Sequence, residues 1–163
     1  MTYVIQENST GWQPIASVET TQKHPLGTIV KAADPVYGSG EFIYVKGVAN
    51  GTANSWVTYD LDDGATALLA ANAIGPVGVM MAALVANTYG WLQIGGKAIG
   101  KALTGFVDNA NVYGTSTAGS VDDAVVAGDR VQNCKGASAV GTPSSGLAEF
   151  EIWRPFVNDA VAD

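Results

Sequence analysis

The sequence predicts an all-β protein, a compact glycine-rich β-sandwich or small barrel with an extended N-terminal arm. Three observations lead there. Glycine supplies 20 of the 163 residues, and each glycine inside a helix costs about 1 kcal/mol relative to alanine. Short runs of aromatic and β-branched residues recur between Gly, Pro, Asn and Asp clusters, at the spacing of sandwiches and barrels. The run from Gly64 to Gly96 contains no Asp, Glu, Lys or Arg, as expected of segments packed away from water. That run is long enough to cross a bilayer, where a spanning helix needs ~20 apolar residues. However, Asn72, Gly75-Pro76, Gly78, Asn87, Gly90 and Gln93 break it into pieces of strand length, so no membrane segment is expected.

Taken in order, residues 1–26 are polar, with Pro14 and Pro25 among isolated large apolar groups: Tyr3, Ile5, Trp12, Ile15 and Val18. This pattern predicts an arm laid over another surface. A β-domain is expected over residues 27–154. GTIVKAAD reads as a strand, closed by a turn from Asp34-Pro35 to Gly40, and Glu41–Ala49 follows as a second. NGTAN is a turn and SWVTYDL a third strand, ended by Asp60, Asp62, Asp63 and Gly64. Ala65–Ile74 suits a short helix by its Ala and Leu content, and Val77–Val85, strand or buried helix by periodicity alone, is favoured as a strand by its flanking Gly-Pro and Tyr-Gly. Tyr89–Ile94, Lys97–Leu103, Asn111–Thr117 and Asp123–Ala127 continue the strand series. Ala148–Trp153 alternates, with Glu149 and Glu151 on one face and Phe150 and Ile152 on the other. Arg154-Pro155 is expected to end it, leaving 155–163 as a tail.

Size and charge bound the function. The chain, 16.7 kDa, fits one domain, with roughly 7,600 Å² of folded surface against ~24,000 Å² unfolded by the usual scaling. An apolar fraction of 47% excludes a disordered chain. The net charge is −7, and the basic residues (23, 31, 46, 97, 101, 130, 135 and 154) stand singly, so no nucleic-acid stripe is expected. The opening MTYVIQENSTGWQ has neither a basic n-region nor an apolar h-region. Synthesis in the cytoplasm without export is the expectation.

Catalytic patterns are sparse, and an enzyme is not expected. His24 is the sole histidine; proline after it favours extended backbone, and a loop-packing role is favoured over a general base. Cys134 is the sole cysteine, expected as a small apolar side chain. The two are too few and too far apart for a zinc site, and no cofactor is expected. DLDDG at 60–64 lacks the Gly and Glu of an EF-hand loop, since Ala65 and Ala71 occupy those positions. A solvated turn is favoured there over a calcium site built from Asp60, Asp62 and Asp63. Asp122 and Asp123 would point to opposite faces of a strand, which disfavours a paired-carboxylate site with Asp129. Gly95, Gly100 and Lys101 match part of a phosphate loop, but Ala102 stands where Ser or Thr is needed. Four tryptophans (12, 56, 91, 153) are spread one per segment, more like core and interface residues than a sugar platform.

Two stretches add a resemblance. The first is ENSTGWQPIASVETTQKHPLGTIVKAADPVYGSGEFIYVKGVA, with Gly27, Val30, Ala32, Asp34, Gly40, Phe42, Tyr44, Gly47, Val48 and Ala49 in a recurrent phrase; the second is TSTAGSVDDAVVAGDRV with the closing EIWRPFV. From Trp12 onward the chain resembles the head decoration (capsid cement) proteins of tailed bacteriophages. The resemblance implies a structural virion protein on the capsid surface, bridging major capsid protein subunits and associating with copies of itself, with no chemistry. It carries no site residues over. From the residues alone, Trp12 and Ile15 are the candidate partner contacts, as isolated apolar groups in a polar segment. A phage tail or fibre component, or a carbohydrate-binding β-module, are the alternatives.

Overall fold

The computed structural model describes residues 4–5 and 12–159, and among them no helix occurs. The strands are β1 (Val4–Ile5), β2 (Ile29–Asp34), β3 (Gly38–Lys46), β4 (Trp56–Tyr59), β5 (Thr66–Leu68), β6 (Ile74–Met80), β7 (Tyr89–Lys101), β8 (Asn111–Gly114), β9 (Val121–Asp122), β10 (Arg130–Gly136) and β11 (Leu147–Asn158). They form one antiparallel sheet in the order β1-β2-β3-β7-β6-β11-β10-β8-β9, with β4 and β5 branching from β6. The all-β expectation holds, and the sheet is not closed into a barrel. Its accessible surface, 7552 Å², matches that of a compact chain of this mass.

The pleat sorts side chains into cores. On β2, Val30 and Ala32 point inward and Lys31 outward. β3 is covered on both faces: Phe42 and Tyr44 join Val30, Ala32, Trp91 and Ile15 in one cluster, while Ile43 and Val45 join Val57, Met80, Leu84, Leu92 and Ile94 in another. A third cluster fills the space under β11 with Trp56, Val77, Ala98, Phe106, Val131, Phe150 and Ile152. Burying both faces of β3 and β7 explains why those strands carry near-continuous apolar runs. The face with Phe42 and Tyr44 is covered by the chain's own residues 12–26, which reach the sheet through a two-bond bridge between Glu19 and Tyr89 (2.9 and 2.8 Å).

β6, β7 and β11 meet pairwise at a fork. β7 pairs with β3 as far as Gly95, opposite Glu41, and from there to Lys101 with β11. β11 pairs with β7 as far as Trp153, then switches to β6 with Phe156 opposite Pro76. Gly96 (φ 92°) and Arg154 (φ 46°) take positive φ at these switch points. Backbone that turns there needs the left-handed region, which glycine enters without steric cost.

Four sequence expectations are corrected. The segment 65–74 is strand β5 and a turn, because β5 pairs with β4 and sheet pairing overrides the helix propensity of Ala and Leu. Tyr89–Ile94 and Lys97–Leu103 belong to one strand that runs through Gly95-Gly96 and ends at Lys101. Residues 123–127 form an exposed loop after the two-residue β9. β11 does not stop at Arg154-Pro155 but runs to Asn158, since the bulge at Arg154 brings Pro155, which lacks an N–H, to a buried position where strand pairing shifts. The alternation of Glu149 and Glu151 against Phe150 and Ile152 is as expected.

Candidate interaction surfaces

The residues expected to meet a partner are turned inward. Ile15 is 2% exposed, packed with Phe42, Tyr44 and Trp91. Trp12 is half-buried, its ring 4.6 Å from that of His24 and 6.0 Å from Trp91. A partner would have to lift this segment off the sheet to reach Ile15. Their isolation in a polar stretch therefore marks an internal cover. Tyr3 and Ile5 of the predicted arm contribute no described side chain. His24 sits among Trp12, Tyr44 and Trp91, with its Nε2 hydrogen-bonded to Gln13 Oε1, as a loop-packing residue would.

The aspartates hold turns. Asp60 Oδ1 accepts from the Asp62 N–H and Asp63 Oδ1 from the Ala65 N–H, both at 2.8 Å. Among the described residues, no group of three or more His, Cys, Asp or Glu is placed to hold a metal ion. Gly100 and Lys101 lie in strand β7, not in a loop, and Lys101 Nζ donates to Thr52 Oγ1. Cys134 packs against the cluster under β11, and burial pushes its thiol well above the ordinary range.

Two further surface features stand out among the described residues. The first is the loop after β9. Ala124, Val125, Val126 and Ala127 are all exposed, Val125 at 78%. Beside them Val107 is also exposed, and its N–H donates to Asp123 Oδ2 at 3.0 Å. At the other end Asp129 is buried, its Oδ1 accepting from the Asn72 N–H at 2.6 Å. Both stems are thus fixed to neighbouring loops while the apolar tip stands in water. Four consecutive exposed apolar residues are disfavoured on a surface unless they meet something.

The second feature is a groove of about 660 Å³ on the outer face of the sheet. Strand register sets Lys31, Glu41, Gly95 and Trp153 in one row across β2, β3, β7 and β11. Gly40, Gly95 and Gly96 leave its floor without side chains. Trp153, 61% exposed, lines one part of it. Arg154 Nε donates to Glu41 Oε2 at 3.1 Å, and Ser39 and Asn133 complete the polar rim.

Neither feature was among the expected site residues, yet both left a signal. The alternation that sets Glu149 and Glu151 outward also sets Trp153 outward. The valines of DDAVVAGD sit between aspartate-glycine turn signals, where a strand is too short to bury them. The chain matches no protein-family model, no curated protein and no solved structure.

Proposed function

We propose that this chain is a structural virion protein that binds the outer surface of a phage capsid and stabilises the shell by bridging major capsid protein subunits. The observation that carries the reading is the rigidly stemmed apolar loop Ala124–Ala127 with Val107 beside it. It lies within TSTAGSVDDAVVAGDRV, one of the two stretches that resemble capsid cement proteins. A pre-ordered apolar tip loses little conformational entropy on docking. Many copies, each held weakly on a repeating lattice, then act together by avidity. The net charge of −7 favours solubility of a protein accumulated at high copy number.

The test is co-sedimentation of the purified protein with phage heads that lack it. The wild type should bind saturably, at hundreds of copies per head. The double substitution Val125→Asp, Val126→Asp places two charges on the tip and should weaken binding by more than about tenfold, with an unchanged circular dichroism spectrum. Saturation at only a few copies would favour a tail component. Absence of saturable wild-type binding would reject the capsid reading.

A further inference from the structure

We propose that the groove beneath Trp153 is a binding site for an acidic oligosaccharide. Its volume, 660 Å³, lies in the range of small-ligand sites. Its architecture fits a sugar ring better than a flat or fully apolar ligand. An indole exposed at 61% offers an amphipathic platform whose π-face stacks against the C–H face of a pyranose. Gly40, Gly95 and Gly96 bring only backbone to the lining. A Cβ on Gly95 would lie 3.3 Å from Glu41 Cβ, on the groove side, whereas at Gly96 and Gly40 it would meet the chain itself, the Ser39 carbonyl oxygen at 2.4 Å and the Phe42 ring at 3.0 Å, so these two glycines answer to packing within the sheet.

The rim supplies both kinds of hydrogen-bonding group. Lys31 and Arg154 donate, Glu41 accepts, and Ser39 and Asn133 do both. A hydroxyl also does both, so vicinal hydroxyls match this mixture. The Arg154–Glu41 pair, 3.1 Å between Nε and Oε2, holds a donor and an acceptor side by side, in the arrangement a diol engages. The charge balance selects further. Two cations and one carboxylate line the groove, a local excess of positive charge in a chain of net charge −7. A sugar bearing a carboxylate is the occupant complementary to that excess. The groove is separate from the Ala124–Ala127 loop, and the proposal stands independently of the capsid reading.

The experiment titrates the free full-length protein, without phage heads, with trigalacturonate, sialyllactose, cellotriose, adenosine monophosphate and an aspartate hexapeptide. Ligand-observed NMR and calorimetry follow binding. At least one of the two acidic sugars should bind saturably and more tightly than cellotriose. Trp153→Ala should weaken that binding about tenfold or more, while Trp153→Tyr, which keeps an aromatic face, should retain most of it. Lys31→Gln should reduce the preference for acidic over neutral sugar. Trp153 and Lys31 are exposed, and circular dichroism should confirm intact folds. Three results would each overturn the proposal: no acidic sugar saturating the wild type, Trp153→Ala binding as the wild type does, or saturation by the nucleotide or peptide alone.

Discussion

Ile15 shows how an isolated apolar residue in a polar stretch can pack against its own chain. A large apolar side chain flanked by Pro14 and Ala16 in a polar stretch signals burial against something outside its own segment. The sequence does not say whether that surface belongs to the same chain. Here it does: Ile15 packs with Val30, Phe42, Tyr44 and Trp91. Ile15→Ala should therefore destabilise the fold by about 2–5 kcal/mol, as truncation of a fully buried aliphatic does, measured by denaturant unfolding. A change below about 0.5 kcal/mol, the range of ordinary surface substitutions, would mean that the segment is loosely held. Trp153 is the converse case. Its exposure was legible from the period-2 pattern of AEFEIW, in which it shares the face of Glu149 and Glu151. Its placement over a glycine floor was not, because the floor comes from β3 and β7, more than fifty positions away in the chain.

Among the elements, strands bounded by strong turn signals were the legible ones. The Asp34–Gly38 turn is capped by its own aspartate, whose Oδ1 accepts from the Val36 and Tyr37 N–H groups at 2.7 and 2.9 Å. The motif Asp-Pro followed by Gly encodes that turn locally. The fork of β6, β7 and β11 was not legible, because glycine and proline have two meanings. Gly95-Gly96 and Arg154-Pro155 look like terminators, but both occur where a continuing strand changes partners. Only the identity of the neighbouring strands distinguishes a stop from a switch. Gly96→Ala tests the switch directly. It forces a side chain into positive φ (92°) and a Cβ to within 2.4 Å of the Ser39 carbonyl oxygen. The expected loss is about 2 kcal/mol or more, read as a lower denaturation midpoint. Gly38→Ala, also at positive φ (76°) but with nothing near its Cβ, should lose less, because only the backbone term remains. Equal losses would show that the close approach at Gly96 contributes nothing.

For the whole molecule, the N-terminal cover couples stability to any test of docking. Residues 12–26 lie across β3 and β7, and Ile15 and Trp12 complete one of three clusters. β1 also extends the sheet beside β2. Deleting residues 1–20 therefore removes part of the core together with the predicted arm. The truncated chain exposes Phe42, Tyr44 and Trp91, three large side chains each at most 1% exposed in the full chain. Losing the Ile15 contacts alone, about 2–5 kcal/mol, corresponds to a fall in Tm of roughly 5–20 °C for a chain of this size. Differential scanning calorimetry of the deletion variant checks this. A Tm within about 2 °C of the wild type would restore the picture of a dispensable arm, free to contact a partner. If the Tm falls as expected, loss of head binding by that variant says nothing about docking, because the fold itself is weakened. The substitutions at Val125 and Val126 do not share this ambiguity: their side chains stand in solvent while Asp123 and Asp129 hold the stems. Binding lost at the loop with Tm unchanged assigns the contact to the loop, whereas binding that follows Tm across both variants assigns it to the folded sheet as a whole.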